Sequence, residues 1–418
     1  MSASFRARAR PLGPAFDLLA TYRGPGDFFF EREGLGVSAT GVLARVDASL
    51  PDLAGATADA LGTIHAGTAG PAPLAVGALP FDPLAAGSLV IPVRATVRNA
   101  AGAWELEVSG AREGAGGREA AGVSRPPVPA RWAGPASPRA PFDELQKLER
   151  PTPAEYAGLV EAARARIRAG ALDKVVLART LEVRAGRTLD AGQLLRRLRA
   201  AEPAGYVFAA STGTGTLVGA SPELLAQVSG RTLKVNPLAG SAPRYGDPAA
   251  DRAAADGLLR SDKDRHEHDV VVRAVAAALA PLCDELEYPD EPMLHATANV
   301  WHLATSFNGR LRASVRSVLT VVAALHPTPA VGGFPAGAAL EALRELEPFE
   351  RGSYAGPVGW VDANGDGVWA LALRCAELFG EHARLFAGAG IVANSDPASE
   401  VEETARKFRA FLDSLRWG

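Results

Sequence analysis

Two apolar segments joined by a tight turn near the C-terminus restrict the fold more than any other feature of this chain. Residues 357–362 (PVGWVD) and 367–373 (GVWALAL) flank a turn built on the dipeptides Asn-Gly and Asp-Gly. These residue types tolerate the positive backbone φ that hairpin turns require. A hairpin joins neighbouring antiparallel strands, so the segment indicates an antiparallel sheet and argues against a doubly wound parallel one.

Strand-like and helical segments follow one another through the C-terminal two-thirds. β-branched and apolar residues favour further strands at 173–183, 216–228, 231–240 and 383–392. Helices are predicted from Thr152 to a stop at Gly170, from Ser261 onwards, and in the closing segment 400–417. Strands joined by hairpins, together with separate helices, predict an α/β fold with antiparallel sheets.

Composition divides the chain into three parts. Residues 1–110 suggest short strands and turns, whereas residues 151–418 carry the densest patterning. Between them, residues 111–150 are crowded with Gly, Pro, Ala and Arg and follow neither a strand period nor a helix period. This middle segment is therefore predicted to be linker-like.

Charge and cysteine content exclude several classes of function. The 44 basic residues nearly balance the 47 acidic ones, so we expect no nucleic-acid partner and no membrane-binding surface, while a small anionic ligand remains open. Cys283 and Cys375 are the only cysteines of the sequence, too few for a disulfide framework or a thiolate metal site. No apolar run is long enough for a signal sequence or a membrane span. We therefore expect an untargeted, cytoplasmic protein.

One carboxylate lies on the apolar face of the second predicted helix. Helical periodicity places Glu267 on the stripe that contains Val270 and Val271. A buried carboxylate is costly unless a positive group meets it, so Glu267 is either ion-paired or bound to a metal. His266 and His268 are interpreted as part of a solvated face, because the segment lacks the soft ligands of a zinc site.

The closing helix carries a second group of charged residues. Glu400, Glu403 and Lys407 gather opposite its apolar stripe, and the spacing of Glu403 and Lys407 is typical of an ion pair on an exposed helix. The glycine-rich segment 387–390 (AGAG) just before the helix would nevertheless let a ligand approach the backbone. The helix start is thus also a candidate anion or metal site, and the pattern leaves both interpretations open.

Arg374 follows the hairpin in a stretch of small residues. Strand alternation from Trp369 to Cys375 predicts that Arg374 shares a sheet face with Ala370 and Ala372. The free space beside it suits a forked clamp on a carboxylate. A solvated arginine on an exposed sheet face explains the same pattern equally well.

Two attractive motifs fail on their spacing. Residues 362–367 match the opening of an EF-hand calcium loop, but its twelfth position is Leu373, where a glutamate is required. Residues 213–219 are glycine-rich without the spacing of a dinucleotide fingerprint. The first segment is predicted to be a hairpin turn, and neither motif supports the ligand it suggests.

Several short fragments occur in the order found in one enzyme family. They are DKVVLART, ASPELL, NPLAGSAPR, SDKDRHEHDVV, WHLATSFNG, LHPTPAVGGFP, ERGSYAGPVGW, LALRCAEL, LFAGAGIV and EET. Extending from about Pro151 to Lys407, they resemble the chorismate-utilising enzymes, which include isochorismate, salicylate, anthranilate and aminodeoxychorismate synthases. GALPFDP at 77–83 resembles the isochorismate synthases in particular.

The resemblance implies a fold and a domain organisation. The family fold is a two-layer sandwich of large antiparallel β-sheets with flanking helices, and its active site lies in a deep cleft. Residues 1–418 are therefore expected to form a single chorismate-utilising domain. In this domain, 1–110 is the variable N-terminal part and 151–418 is the catalytic part.

The resemblance also implies roles for residues that the patterns left ambiguous. Lys174 matches the base that activates water and Glu223 matches the acid that protonates the departing hydroxyl, although alone they suggest a strand-face lysine and a loop carboxylate. The matching magnesium ligands are Glu267 and Glu403, with Glu400 as an outer partner through water. The matching substrate-binding positions are Gly240, Ser241, Arg374, Gly388 and Lys407.

The implied reaction is the Mg²⁺-dependent, reversible conversion of chorismate to isochorismate, an isomerase activity. Water attacks ring carbon C2 while hydroxide leaves C4, so the reaction requires one base and one acid. A lysine serves as the base only when its pKa is lowered, and a glutamate serves as the acid only when its pKa is raised. Magnesium prefers oxygen ligands and would anchor the ring carboxylate between two glutamates.

Other members of the family are alternatives to this activity. A salicylate synthase, which also expels pyruvate, is the nearest one, and the stretches AGSAPR and PFDP argue against it. Lys174 favours water over ammonia as the nucleophile, which disfavours anthranilate and aminodeoxychorismate synthases, and we expect a monomer without a glutaminase subunit. A non-catalytic chorismate-binding relative would need a broken site, whereas Lys174, Glu223, Glu267 and Glu403 are all present.

Overall fold

The computed structural model describes residues 5–13, 16–67, 70–110 and 146–415. Most of the segment predicted to be linker-like, 111–150, lies outside the described residues. Its last five residues, Gln146–Arg150, form a strand and not a linker, because their backbone pairs with a neighbouring antiparallel strand over residues 180–184.

Among its described residues, the N-terminal part contains strands and one α-helix. The strands are β1 (Phe5–Leu12), β2 (Phe28–Arg32), β3 (Leu35–Thr40), β4 (Ala44–Ala48), β5 (Ile64–Ala66), β6 (Leu74–Ala78), β7 (Gly87–Ile91), β8 (Arg94–Asn99) and β9 (Gly102–Gly110). Helix α1 (Leu50–Gly62) lies between β4 and β5, and a 3₁₀ turn covers Leu18–Thr21. The sequence suggested only strands and turns in this part, so α1 is an element that the pattern did not predict.

The C-terminal part continues the same mixture. Its strands are β10 (Gln146–Arg150), β11 (Lys174–Arg184), β12 (Tyr206–Ser211), β13 (Thr216–Ser221), β14 (Leu224–Ser229), β15 (Thr232–Asn236), β16 (Leu238–Pro243), β17 (Cys283–Glu287), β18 (Met293–Ala296), β19 (Val300–Ala304), β20 (Phe307–Leu311), β21 (Gly333–Phe334), β22 (Pro357–Asp362), β23 (Gly367–Leu371), β24 (Cys375–Phe379) and β25 (His382–Ile391). Its helices are α2 (Pro153–Arg168), α3 (Ala191–Ala201), α4 (Pro248–Arg260), α5 (Asp262–Leu279), α6 (Val318–Leu325), α7 (Ala336–Leu346) and α8 (Pro397–Leu415), with a 3₁₀ turn at Ala280–Leu282.

The described strands form two large sheets and one small sheet. The first sheet has the order β10-β11-β25-β24-β13-β12-β2-β3-β8-β9-β1-β5, with β21 also paired to β11. The second sheet has the order β17-β20-β15-β14-β23-β22-β6-β7-β4, and the small sheet is β16-β19-β18. The pairings are antiparallel, apart from the parallel pair β1 and β5. The predicted fold class, an α/β fold with large antiparallel sheets, is confirmed.

The apolar core has two parts, which define the layers. One core cluster contains residues of both large sheets, such as Phe208 of β12 and Trp369 of β23. The other packs the opposite face of the first sheet against α3 and α8, with Leu194 and Phe408 among its buried residues. Each large sheet buries an apolar face against another layer, so neither sheet exposes a broad apolar surface.

The predicted helix boundaries at α2 and α5 are confirmed by their caps. Thr152 and Glu155 form a capping box at the start of α2, and Gly170 has a φ of 79° just after it. The Ser261 side chain accepts a hydrogen bond from the Asp264 N–H at the start of α5. Helices α3, α4, α6 and α7 were not predicted. Apart from Thr320, α6 (VLTVVAAL) is entirely apolar, so its pattern equally suits a buried strand.

The predicted hairpin is present, but the strand after it is shorter than the alternation suggested. β22 and β23 pair around a turn in which Gly365 has a φ of 85°. β23 then ends at Leu371, and the chain passes from the second sheet to the first before β24 begins at Cys375. Arg374 has a φ of 49° in this crossover, so it does not share a sheet face with Ala370 and Ala372 as predicted.

A second crossover lies beside the first. The chain leaves the first sheet at the end of β13 and enters the second sheet at the start of β14, and Glu223 lies between the two strands. The Ala220 N–H donates to the Arg374 carbonyl at 3.2 Å, and the Leu371 N–H donates to the Glu223 carbonyl at 3.2 Å. Glu223 and Arg374, far apart in sequence, are thereby placed together where the large sheets meet.

The GALPFDP stretch connects the N-terminal part to the C-terminal part. The Phe81 N–H donates to the Gly352 carbonyl at 2.8 Å, and the Leu79 N–H donates to the Pro357 carbonyl at 2.7 Å. The Phe81 carbonyl in turn accepts a hydrogen bond from Nε2 of His326 at 2.9 Å. No helix within the described residues is both long enough and apolar enough to cross a membrane.

Candidate active site

A cleft of about 640 Å³ lies at the two crossovers. Its wall includes residues of the first sheet, both crossovers, the small sheet and the helices α5 and α8. Most of the residues singled out from the sequence belong to this wall, namely Glu223, Gly240, Ser241, Glu267, Arg374, Gly388, Glu403 and Lys407. Lys174 and Glu400 are buried next to these residues and do not form part of the wall itself.

Lys174 and Glu267 form a buried ion pair beside the cleft. Lys174 begins β11 and is fully buried, and its Nζ lies 2.9 Å from Oε1 of Glu267 on α5. A buried ammonium group is strongly unfavourable without a countercharge, and Glu267 provides one. The sequence left Glu267 either ion-paired or bound to a metal, and the structure shows the ion pair. Because Glu267 also lies in the cleft wall, its carboxylate remains accessible to a cation.

Gly390 of β25 makes this pairing sterically feasible. A Cβ atom at this position would lie 2.2 Å from Oε1 of Glu267 and 3.1 Å from Cε of Lys174. Real Cβ atoms essentially never show a contact as short as 2.2 Å, so a larger residue at position 390 would displace the Glu267 carboxylate. The close approach explains a glycine that the sequence placed only in a glycine-rich stretch.

Glu223 is a buried carboxylic acid at the other crossover. Its Oε1 accepts one long hydrogen bond, 3.4 Å, from the Leu238 N–H. Burial raises the pKa of Glu223 to about 8, and the Leu238 N–H and the charge of Lys174 only partly oppose that rise. The side chain is therefore mainly protonated at neutral pH, so it can donate a proton inside the cleft.

Arg374 reaches the cleft with an incomplete set of partners. Its Nη2 donates to Nε2 of His302 at 3.2 Å, and Nδ1 of His302 lies 3.3 Å from the Gly240 carbonyl. Burial, helped by the charge of Arg374, holds the pKa of His302 well below its usual range, so the ring is neutral. No carboxylate among the described residues pairs with Arg374. An enclosed guanidinium without a countercharge is suited to an anionic ligand.

Lys407 provides a second cation in the same wall. Its Nζ donates to the Gly388 carbonyl at 2.7 Å and to Oε1 of Glu403 at 2.5 Å. The lysine and glutamate side chains are 12% and 21% exposed, so they are not the solvated surface pair that their spacing also allowed. Burial tends to raise the pKa of Glu403, but the charge and the hydrogen bond of Lys407 hold that pKa below its usual value. Gly388 itself faces the Tyr354 hydroxyl, which would lie 3.1 Å from a Cβ atom there.

Lys263 lies among three carboxylates at the edge of the site. Its Nζ donates to Oε1 of Glu400 at 2.8 Å, and the Glu400 side chain is 1% exposed. Burial alone would lower the pKa of Lys263, but the negative charges of Glu400, Glu267 and Glu403 raise it. Burial also raises the pKa of Glu400, and the nearby charge of Glu403 adds to the effect. This corner of the cleft therefore holds crowded negative charge that a cation would stabilise.

Comparison with known proteins agrees with this geometry. Residues 132–416 match the family described as chorismate binding enzyme. The chain is 40% identical to the isochorismate synthase DhbC of Bacillus subtilis (strain 168) over 82% of this chain and 81% of that protein. It is 42% identical to the putative isochorismate synthase MenF of Mycobacterium tuberculosis over 83% of this chain and 87% of that protein. The chain belongs to the chorismate-binding enzyme family.

The fold of this chorismate-binding enzyme is shared with solved structures. A crystal structure of a putative 2,3-dihydroxybenzoate-specific isochorismate synthase, DhbC, from Bacillus anthracis superposes with a TM-score of 0.81 at 35% identity, covering 95% of this chain and 98% of that one. The likeness includes the N-terminal part as well as the C-terminal part.

The donor set of this chorismate-binding enzyme fits a hard, oxygen-seeking cation. The carboxylates of Glu267 and Glu403 both line the cleft, and the positive charge of Lys263 lies near both of them. Within the described residues, no three His, Cys, Asp or Glu side chains converge as a complete metal site. Magnesium retains several waters and takes one or two carboxylates from a protein, so two glutamates are sufficient for it.

Sequence reasoning missed three residues of the site and misjudged the surroundings of two residues, Arg374 as described above and His268. His302 and Tyr354 line the cleft, yet neither stands in a periodic pattern that would mark it. Lys263 lies four residues before Glu267 on α5, so helical spacing did contain a signal for it. His268 was expected on a solvated face, but it is 2% exposed with Nε2 2.8 Å from the Thr305 hydroxyl, because α5 is covered on that side by the small sheet.

We expect Gly390→Ala to remove most of the activity of this enzyme. The added methyl group would occupy the position of the Glu267 carboxylate and would separate it from Lys174. Gly158→Ala on the exposed surface of α2 is the matched control, since a Cβ atom there meets nothing within 4 Å. Steady-state rates and thermal unfolding of both variants provide the test. An active Gly390→Ala enzyme would show that the close packing of these side chains is unnecessary.

Proposed function

We propose that this chorismate-binding enzyme is an isochorismate synthase, which converts chorismate to isochorismate reversibly and depends on Mg²⁺. One observation carries the proposal: a single cleft is lined by a buried carboxylic acid whose pKa is about 8 and by further cations, and a buried lysine lies directly behind its wall. The relatives described above carry the name isochorismate synthase, which supports the same activity.

In the proposed mechanism, Lys174 and Glu223 divide the proton transfers. After releasing the ammonium proton that it holds in its pair with Glu267, Lys174 accepts a proton from the water that attacks C2. Glu223 donates a proton to the hydroxyl that leaves C4 as water. Glu223 is suited to this step because burial keeps it protonated at neutral pH. Since one secondary allylic hydroxyl replaces another, we infer a nearly balanced reaction that proceeds in both directions.

Other residues of the cleft are proposed to hold the substrate. Arg374, kept in place by neutral His302, would bind one carboxylate through its fork. Lys407 supplies a second positive charge, and Gly240, Ser241 and Gly388 leave room for the ligand beside it. These contacts would orient the ring between the base and the acid.

Magnesium is proposed to be held by Glu267 and Glu403, with Glu400 as an outer partner through water. When bound, it would neutralise and orient the ring carboxylate of the substrate. Glu267 also pairs with Lys174 at 2.9 Å, so the same carboxylate serves both the predicted base and the proposed cation site. Lys263, next to all three glutamates, balances the remaining negative charge.

The proposed activity is tested by product analysis. Purified protein is incubated with chorismate and Mg²⁺, and isochorismate, salicylate and anthranilate are separated by chromatography. Isochorismate as the product is expected, and starting from isochorismate should yield chorismate. Salicylate with pyruvate would instead identify a salicylate synthase, and no conversion in either direction would contradict the proposal.

We expect turnover to fall as the pH rises through about 8. Glu223 must be protonated to act as the acid, and its pKa is about 8, so each further pH unit should lower the rate by about tenfold. The residual rate of Glu223→Gln should lack this alkaline limb. A pH–rate profile of kcat/KM, which reports the ligand-free enzyme, provides the measurement for both proteins, and an identical limb in the variant would assign it to another group.

The raised pKa of Glu223 also makes the stability of the folded protein depend on pH. The folded chain holds the Glu223 proton more tightly than the unfolded chain, whose carboxyl group has an ordinary pKa of 4.5. The native protein should therefore lose stability relative to Glu223→Gln as the pH rises from about 4.5 to about 8. Thermal unfolding across this range checks the sign.

A further inference from the structure

A gap in the first sheet lies directly behind the cleft wall. β25 pairs with β11 along Val175–Arg184, but on the opposite edge β21 pairs only with residues 174–175 and β10 only with residues 180–184. In the described structure no strand covers the intervening residues 176–179 on that edge. The Val176 N–H donates to the Gly332 carbonyl at 2.9 Å, whereas the Val176 carbonyl and the Ala178 N–H have no backbone partner on this edge. Unpaired backbone groups at a buried position are costly, so something else must satisfy these two.

An ion pair occupies this gap. Oε1 of Glu347 accepts a hydrogen bond from the Ala178 N–H at 2.8 Å, and Nη2 of Arg351 donates to the Val176 carbonyl at 2.6 Å. Nε of Arg351 also donates to Oε2 of Glu347 at 2.8 Å. The carboxylate and the guanidinium thus act as the acceptor and the donor that a neighbouring strand would have offered to β11.

The guanidinium also reaches a second wall of the cleft. Nη1 of Arg351 donates to the Val331 carbonyl at 2.8 Å, in the loop between α6 and β21. Val176 and Val331 both line the cleft, so one planar fork spans the strand of Lys174 and the opposing loop. Phe81 covers the outer side, with its ring centroid 4.2 Å from Cζ of Arg351.

Stability alone does not account for this arrangement. Both side chains are only 4% exposed, and a buried ion pair adds little net stability compared with apolar residues of the same volume. Arginine differs from such replacements by its rigid fork, which fixes two carbonyl groups at a set separation. The two fixed carbonyls belong to the walls between which the substrate would lie.

We propose that Glu347 and Arg351 are positioning residues that replace the missing strand beside β11 and set the spacing between Val176 and Val331. They act through Lys174 and the cleft loop without contact with substrate. The inference deepens the isochorismate synthase proposal and rests on it for the kinetic part of its test.

Three variants separate positioning from simple structural support. Arg351→Lys keeps the charge but removes the fork, and it should lower kcat/KM by on the order of tenfold to a hundredfold per folded molecule. The double variant Glu347→Gln with Arg351→Met removes both charges, so no unpaired buried charge remains. Its thermal stability should recover relative to Arg351→Met alone, while its activity stays low. Arg344→Lys is the matched control. Arg344 lies on the surface of α7, where it is 56% exposed and pairs with Asp82.

Hydrogen exchange gives a readout that does not depend on turnover. Amides of residues 176–178 and of the loop before β21 should exchange faster in Arg351→Lys than in the native chain, whereas Arg344→Lys should leave both unchanged. Recovery of stability and activity together in the double variant, or unchanged exchange in Arg351→Lys, would overturn the positioning role. A native chain that does not convert chorismate would contradict the proposed function, while the exchange measurement would still decide the role of this ion pair.

Discussion

Replacing Glu223 with glutamine should lower kcat for the conversion of chorismate to isochorismate by on the order of a hundredfold or more. Glutamine keeps the size and can accept the hydrogen bond from the Leu238 N–H, but its amide is too weakly acidic to donate a proton to the leaving group. Because the native carboxyl has a pKa of about 8, glutamine also matches its uncharged state at neutral pH. The folded structure should therefore remain intact and the loss should fall on the chemical step.

Substrate affinity should change little in this variant. The proposed carboxylate contacts belong to Arg374, Lys407 and Gly388, none of which is altered. Losses in kcat without losses in affinity are the mark of a group that acts only in the transition state. Binding of chorismate to the inactive variant, measured directly by calorimetry, separates the two effects.

Lys174→Gln should also remove turnover, but with a different effect on stability. Lys174 is the buried countercharge of Glu267 at 2.9 Å, so its loss leaves a carboxylate without a partner. Removing one member of a buried pair typically costs roughly 3–5 kcal/mol. A cation at Glu267 should offset part of that cost, so Mg²⁺ should raise the Tm of Lys174→Gln more than that of the native chain. Near-normal isochorismate formation by either the Lys174 or the Glu223 variant would overturn the role assigned to that residue.

Chelation of divalent metal should abolish turnover, and addition of Mg²⁺ should restore it. The proposed substrate carries two carboxylates, and the cleft already contains Glu267 and Glu403 with Glu400 behind them. At short range in a partly buried site, like charges repel strongly unless a cation lies between them. Lys263 balances only part of this charge: burial raises the pKa of Glu400, and the nearby charge of Glu403 adds to the rise.

The metal assignment is tested by rate measurements in a chelator, followed by titration with Mg²⁺. Glu267→Gln is the informative variant, because it removes one proposed ligand and keeps a hydrogen-bonding group of the same size. We expect it to demand much more Mg²⁺ for turnover, with a smaller change in Tm than Lys174→Gln. Full activity in the chelator would remove magnesium from the proposal. A large fall in Tm for metal-free Glu267→Gln would show that the residue acts mainly as a structural partner of Lys174.

Several elements of the fold were predictable because their signals are local. The capping box of Thr152 and Glu155, the Ser261 cap of α5 and the turn at Gly365 each depend on residues a few positions apart. The burial of Glu267 on α5 follows from helical periodicity alone. Motif order then identified the family over most of the chain, which the comparisons confirmed.

Other features could not be read from local pattern. The alternation of side chains over residues 369–375 predicted a single strand. In the structure the chain changes sheets after Leu371, and Arg374 lies in the crossover. His268 is buried because the small sheet packs over α5, and no local sequence pattern around His268 indicates this packing. The partner of Glu267 likewise depends on where β11 places Lys174 relative to α5.

The sequence by itself determined the antiparallel sheets, the main helices at 153–168 and 262–279, the family, and the residue types available for acid, base and cation binding. Only the tertiary structure decided which of these residues share a cleft, and it did so through two chain crossovers that place Glu223 and Arg374 side by side. Only the tertiary structure placed Glu347 and Arg351 in the gap beside β11. The physical reason is that secondary structure follows from short-range backbone and side-chain preferences, whereas pairing, burial and pKa arise from neighbours that are distant in the chain.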